Sequence, residues 1–354
     1  MKKLIALLLI FLVLTLVSIL LYFDKTSTEI ITPIYTTNQI SKDSYIDRKL
    51  NSMNVGQKRG ALFMVSIPDQ VLTDETISYL KENHIGGVIL MPNNFVNEEQ
   101  LKKLTSDLKQ KVDSRIIISI DQEGGTVVRI PWDKYKNFNA RDFVENRTNG
   151  ITPTEVFTYR AELLKSLGIN CILGPVADIA DKSSFMYKRS YSADKFDVAE
   201  ITAEEIGVYQ KIGILTSPKH FPGHGRTSTD SHNNFPEINL SKEELVQNEF
   251  VPFAADIRAG ADFIMLGHII NPQIDPNIPA SKSYKYVEIL EQDLGFEGIV
   301  ITDDLKMTGN INGGIDWGIN LVIEDSTQVI SRMNTINPQD EYVKRVLEIK
   351  YEKL

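Results

Sequence analysis

The stretch "IGILTSPKH" (212–220) begins as an apolar run and ends on Lys219 and His220. Seven other runs have the same short apolar build: "ALFMVS" (61–66), "GGVILM" (86–91), "IIISID" (116–121), "INCILGP" (169–175), "ADFIMLGH" (261–268), "GIVITDD" (298–304) and "INLVIE" (319–324). Continuous apolar runs suit parallel strands buried on both faces. The segments between several of them read as amphipathic helices, among them "TDETISYLKENH" (73–84) and "SKEELVQNEFVPFAADIRAG" (241–260). Ser241 and Glu244 are spaced as a capping box at the start of the second. Eight strand–helix units predict an α/β chain folded as a single (β/α)8 barrel of TIM-like form.

Asp121, Lys219, His220, His268, Asp303 and Asp304 all fall at the C-terminal ends of predicted strands. Active sites of such barrels lie at that face. A strand leaving the core turns polar in any case, which accounts for one or two of these residues. It accounts less well for so many Asp, Lys and His.

Composition removes several classes of function. Lys and Arg number 38 against 47 Asp and Glu, a net charge of −9, and no cluster of cations appears, which argues against nucleic acid as a partner. Cys171 is the only cysteine, so an intramolecular disulfide and a thiolate zinc cluster are both out of reach. It sits inside an apolar run and reads as a packing residue.

The N-terminus reads as separate from the fold. Lys2 and Lys3 precede an uncharged apolar stretch from Leu4 to Phe23. Such a stretch spans about 30 Å as a helix, the thickness of a bilayer core. A cleaved secretory signal is the alternative, but no small-residue cleavage site is evident. Residues 1–23 are therefore expected to form a transmembrane signal anchor, 24–44 a polar linker and 45–354 the barrel domain. The lysines would stay on the cytoplasmic side, which puts the domain extracytoplasmic on the cell membrane.

"KHFPGHGRTSTDSHNNFP" (219–236) holds three of the five histidines. As a metal loop it would offer His220, His224, Asp230 and His232, although Pro222, Gly223 and Gly225 oppose the helix that an i, i+4 histidine pair prefers. As a serine hydrolase it would use Ser231, but no G-x-S-x-G elbow is present. As an acid–base site, His232 exchanges protons near neutrality, Asp230 orients it, and Asp303 or Asp304 attacks an anomeric carbon, with histidine standing in for one of the two usual glycosidase carboxylates.

The motif "KHFPGHG", four residues and then "DSH" resembles the signature of the β-N-acetylglucosaminidases of glycoside hydrolase family 3. In the same order, "IDQEGGTVVRI" (120–130), "GPVADI" (174–179), "KRSYS" (188–192), "FIMLGHI…IPASKS" (263–283) and "LGFEGIVITDDLKM" (294–307) resemble its other segments. The resemblance runs from about Gly56 to the C-terminus. It implies Asp303 as nucleophile, His232 as acid/base with Asp230 as its dyad partner, and Asp121, Arg129, Arg189, Lys219 and His220 as the residues that hold the terminal sugar. The loop 224–234 would bring His232 over the sugar and close on ligand.

The implied activity is a retaining exo-β-N-acetylglucosaminidase acting on the non-reducing ends of peptidoglycan fragments, with no metal or organic cofactor. The alternatives are a β-N-acetylglucosaminide phosphorylase and a catalytically weakened glycan-binding protein of the cell wall. Two features depart from the family pattern. Thr126 stands where arginine is frequent, and "KMTGNINGGIDW" (306–317), with three glycines, is too short for a barrel helix and its loops. The helix after the seventh strand is thus expected to be missing or shortened.

Overall fold

The computed structural model describes residues 37–227, 235–307 and 313–354, with the backbone alone for 37–43. The compact unit carrying the strands runs from Arg48 to Leu354. The chain is α/β. Its strands are β1 Phe63–Ser66, β2 Gly87–Leu90, β3 Ile117–Ile120, β4 Cys171–Ile172, β5 Leu215–Thr216, β6 Phe263–Leu266, β7 Ile299–Thr302 and β8 Asn320–Val322.

Every pairing between these strands is parallel. One sheet has the order β5-β4-β3-β2-β1-β8, and β6 pairs with β7. Bridges between Phe221 and Leu266 and between Ile301 and Ile319 join the two sheets, so the eight strands close in chain order. Each strand is shorter than the apolar run that contains it. β4 and β5 keep only two residues, because Pro175 and Pro218 close behind them offer no N–H to the ladder.

Helices Asp74–Glu82, Glu98–Lys111, Pro153–Ser166 and Lys195–Ile212 lie between successive strands from β1 to β5. Thr73, Asn97, Thr152 and Asp194 cap their N-termini with side-chain oxygens, each cap worth about 1 kcal/mol. The stretch 241–260 makes two helices, Lys242–Gln247 and Phe250–Arg258, where the sequence pattern predicts one. Pro252 cannot donate to the carbonyl four residues earlier, and Asn248 leaves the helical region at φ −130 and ψ −84. Ser241 and Glu244 do form the capping box.

The expected transmembrane helix requires correction. Among the described residues no helix is long and apolar enough to cross a membrane. The longest helix of the barrel unit, Lys195–Ile212, carries Lys195, Asp197, Glu200, Glu204, Glu205 and Lys211, charges that a bilayer core would not accept unpaired. Residues 1–23, on which the anchor was expected, lie outside the described residues. The membrane anchor and the extracytoplasmic placement built on it are therefore withdrawn. A helix, Thr37–Ser52, takes up the last residues of the segment 24–44.

Between Thr302 and Asn320 no helix occurs among the described residues, and 308–312 lie outside them. In the described part of this segment Ile315 and Trp317 are buried, and Trp317 meets Tyr284 edge-on at 5.7 Å. The Asn320 side chain accepts the Ile315 N–H at 2.6 Å and donates to the carbonyls of Ile315 and Leu62 at 3.0 and 3.1 Å. This amide fastens the segment to the start of β1.

Candidate active site

Residues that follow β3, β4, β5, β6 and β7 converge at the C-terminal face of the barrel. After β3 the chain turns through Gly124 and Gly125, with φ of +95° and +59°. A Cβ on Gly125 would lie 2.0 Å from the Asn139 side chain, so the turn requires glycine there. The turn folds Arg129 back to Asp121, with Nη2 3.6 Å from Oδ2. The Gln122 side chain accepts the backbone N–H groups of Arg129 and Ile130 at 2.8 and 2.9 Å.

Lys219 is almost fully buried at the end of the β5 segment. Its ammonium lies 2.6 Å from Asp121 Oδ1 and 2.8 Å from Glu123 Oε1. Burial works against its charge, but the Asp121 and Glu123 carboxylates outweigh it and raise the pKa, so the ammonium is retained. Arg189, from the loop after β4, grips Glu123 through Nε and Nη2, both at 2.8 Å. Burial would lift the Glu123 carboxyl, yet Arg189 and Lys219 hold it well below the usual carboxylate range.

His220 stands 3.4 Å from Arg189 Nη2 through Nε2, and its Nδ1 is 2.7 Å from Asp178 Oδ2. A carboxylate only accepts, which puts the ring proton on Nδ1. Asp178 also accepts the backbone N–H of His224, at 2.6 Å. His224 Nδ1 is 2.6 Å from the Thr227 hydroxyl, and burial lowers its pKa, so it serves the start of the loop as a neutral ring.

Asp303 follows β7. Its N–H donates to the Leu266 carbonyl at 2.9 Å, and its Oδ1 accepts the Asp304 N–H at 2.8 Å. Burial would raise its pKa, but the imidazoles of His268 and His220, the Asp304 N–H and the Lys219 ammonium prevail and lower it. Asp303 is thus an ionised carboxylate in a half-buried setting. Asp304 differs: burial raises its pKa, and its Oδ1 accepts the N–H groups of Lys306 and Ile323 at 3.1 and 3.0 Å. His268 bridges the two strand ends, with Nε2 2.8 Å from the Asp304 carbonyl and Nδ1 2.6 Å from the Ser281 hydroxyl.

The site residues expected from sequence that lie within the described chain are Asp121, Arg129, Arg189, Lys219, His220 and Asp303. Asp121, Arg129 and Lys219 are linked by direct ion pairs, Arg189 joins them through Glu123, His220 meets Arg189, and Lys219 and His220 both act on Asp303. Asp230 and His232 lie outside the described residues. Two members of the site were not singled out from sequence, Glu123 and Asp178. Both sat inside quoted motifs, "IDQEGG" and "GPVADI", and an acidic residue a few positions past an apolar run was the available signal. For the loop metal reading, Asp230 and His232 lie outside the described residues, while His220 and His224 are each engaged with partners of their own, Asp178 and Thr227.

An ionised carboxylate beside a set of clamped cations and carboxylates, at the C-terminal face of a closed parallel barrel, is the equipment of a glycoside hydrolase, and that is the class of this enzyme. The family model described as "Glycosyl hydrolase family 3 N terminal domain" matches residues 54–316, and the chain belongs to that family. A β-hexosaminidase of Histophilus somni (strain 129Pt) is 27% identical over 306 residues, which cover 81% of this chain and 86% of the relative. Among solved structures, a glycoside hydrolase family 3 β-N-acetylglucosaminidase from Paenibacillus sp. str. FPU-7 superposes with a TM-score of 0.76 at 26% identity, over 85% of this chain and 63% of its own length. NagZ from Neisseria gonorrhoeae in complex with N-trifluoroacetyl-D-glucosamine gives a TM-score of 0.72 at 29% identity, over 83% of this chain and 90% of that one.

Proposed function

We propose that the chain is a retaining exo-β-N-acetylglucosaminidase that releases terminal, non-reducing N-acetylglucosamine. The observation that carries this reading is Asp303: a carboxylate kept ionised by neighbouring imidazoles and Lys219, on the same face as the charged set from Asp121 to His220. The names of the relatives, β-hexosaminidase and β-N-acetylglucosaminidase, and the glucosamine derivative bound by one of them support the choice of sugar.

In this reading Asp303 attacks the anomeric carbon and forms a glycosyl-enzyme intermediate. Its low pKa keeps the attacking oxygen unprotonated. His232, steered by Asp230, protonates the leaving oxygen and then takes a proton from the incoming water. Asp121, Arg129, Arg189, Lys219 and His220 hold the sugar hydroxyls in attack geometry. Glu123 joins them by fixing Arg189 and Lys219. Peptidoglycan fragments are the natural substrate to which the family resemblance points.

The test is hydrolysis of a chromogenic aryl β-N-acetylglucosaminide by the wild type and Asp303→Ala, with and without phosphate. Loss of activity in the variant is expected, with free sugar as the wild-type product. Near-normal turnover by Asp303→Ala sinks the assignment, and a phosphate-dependent sugar 1-phosphate converts it to a phosphorylase.

A further inference from the structure

Behind the sugar-holding charges lies a second buried acid to which the mechanism above gives no task. Glu205, on helix Lys195–Ile212, is 4% exposed. Its Oε2 accepts the Tyr191 hydroxyl at 2.7 Å. Between Glu205 and the Glu123–Arg189 pair is a cavity of about 20 Å³, lined by both and by Tyr191 and Gln122. That is close to the space one water needs.

We propose that Glu205 is a positioning residue for sugar binding, which backs the Glu123–Arg189 pair across this cavity so that a negative charge on it loosens that pair. The inference rests on reading the pair as part of the sugar site.

The charges around Glu205 come from every side. Glu123 follows β3, Tyr191 follows β4, and Lys219 follows β5; Arg160 is on helix Pro153–Ser166, Tyr209 on the same helix as Glu205, and Asp256 on helix Phe250–Arg258. Burial pushes the Glu205 carboxyl up to about 7, the Tyr191 hydroxyl and the Arg160 charge pull against it, and Glu123 adds to the rise. The acid therefore changes charge near neutrality.

The geometry supplies the lever. Arg160 holds the Glu123 backbone carbonyl through Nη1 at 3.0 Å and Asp133 through Nε at 3.1 Å. Its guanidinium also faces the Tyr209 hydroxyl, and Nη2 is buried. A new anion at Glu205 competes for this guanidinium and for Arg189, and repels the Glu123 carboxylate. Each effect draws Glu123 away from the arrangement that fixes Arg189 and Lys219.

The test is calorimetric binding of N-acetylglucosamine by the full chain at about pH 5.5 and about pH 8.5, in wild type, Glu205→Gln and Tyr191→Phe. The wild type should lose affinity about fivefold across this span, and Glu205→Gln, which still accepts the Tyr191 bond but cannot ionise, should lose none of it. Tyr191→Phe removes a bond that favours the charged form and should move the midpoint to higher pH. An infrared difference spectrum between the two pH values should show the loss of a protonated-carboxyl band in the wild type that Glu205→Gln does not show. Wild type and Glu205→Gln sharing one pH slope, or the same pH-dependent loss of a carboxyl band appearing in Glu205→Gln, overturns the inference while leaving the functional reading intact. A wild type that binds no N-acetylglucosamine at either pH overturns the functional reading, and this inference with it.

Discussion

Arg189 holds Glu123 in a bidentate grip, both N–H···O distances 2.8 Å, and Lys219 reaches the same carboxylate at 2.8 Å. One anion thus orders two of the cations expected to meet the sugar. Such fork-to-fork pairs are directional as well as strong.

Glu123→Gln should therefore damage both stability and binding. Two nearly buried cations lose their shared counter-charge, and breaking a buried pair from one side costs roughly 3–5 kcal/mol. The melting temperature should fall, and kcat/KM on an aryl N-acetylglucosaminide should drop about 100-fold, because the sugar contacts lose their geometry. Thermal unfolding and steady-state kinetics on one preparation check both.

His268→Gln should move the acid limb of the pH–rate profile. His268 contributes to holding Asp303 ionised below its ordinary range. Without that imidazole the Asp303 pKa rises, so the nucleophile is protonated, and activity lost, at a higher pH than in the wild type. An acid limb of kcat/KM that stays in place shows that His268 does not tune Asp303.

Glu205→Gln should flatten the stability profile on one side. The folded pKa is about 7 against 4.5 for a free glutamate. The group's contribution is fully present below the unfolded pKa and is lost as pH rises through the folded one, a difference of roughly 3 kcal/mol between about pH 4.5 and pH 7. Denaturant midpoints of wild type minus variant, taken across that window, measure it. A constant difference contradicts the assignment of the raised pKa to Glu205.

Asn320→Ala should show what holds the segment that leads into β8. Its amide makes three hydrogen bonds to Ile315 and Leu62 in a buried setting. Their loss leaves backbone groups unpaired and should cost about 2–3 kcal/mol in urea unfolding. The substitution lies below the strand ends, so the KM should change little. A stability loss within about 0.5 kcal/mol would mean that Ile315 and Trp317 hold the segment by packing alone.

His232→Ala should slow poor leaving groups most, since only they need a proton from the enzyme. Rates for a series of aryl leaving groups test this. Equal losses across the series remove the acid role from His232.

Much of the barrel could be read in the sequence because a parallel strand buried on both faces leaves a plain mark, a short apolar run. Strand lengths were harder: prolines 175 and 218 stop β4 and β5 after two residues, a local veto inside an apolar run. The break at Asn248 was hidden because the capping box and the amphipathic pattern of 241–260 run on across Pro252. The N-terminal anchor was read from the length of one apolar run and its two leading lysines, and no described helix supports a membrane crossing.

The order of chemical groups along the chain determined which residues stand at strand ends, because the end of an apolar run marks where the backbone leaves the core. That was enough to place Asp121, Lys219, His220, His268, Asp303 and Asp304 at strand ends, while the choice of Asp303 over Asp304 as nucleophile came from the family resemblance. Partnership was decided only by the tertiary structure. Glu123 and Arg189 are 66 residues apart, and His220 and Asp178 are 42 apart. No local pattern encodes either pair, because each forms where barrel closure brings strand ends together in a poorly solvated space, and there the charge of one group sets the ionisation of the next.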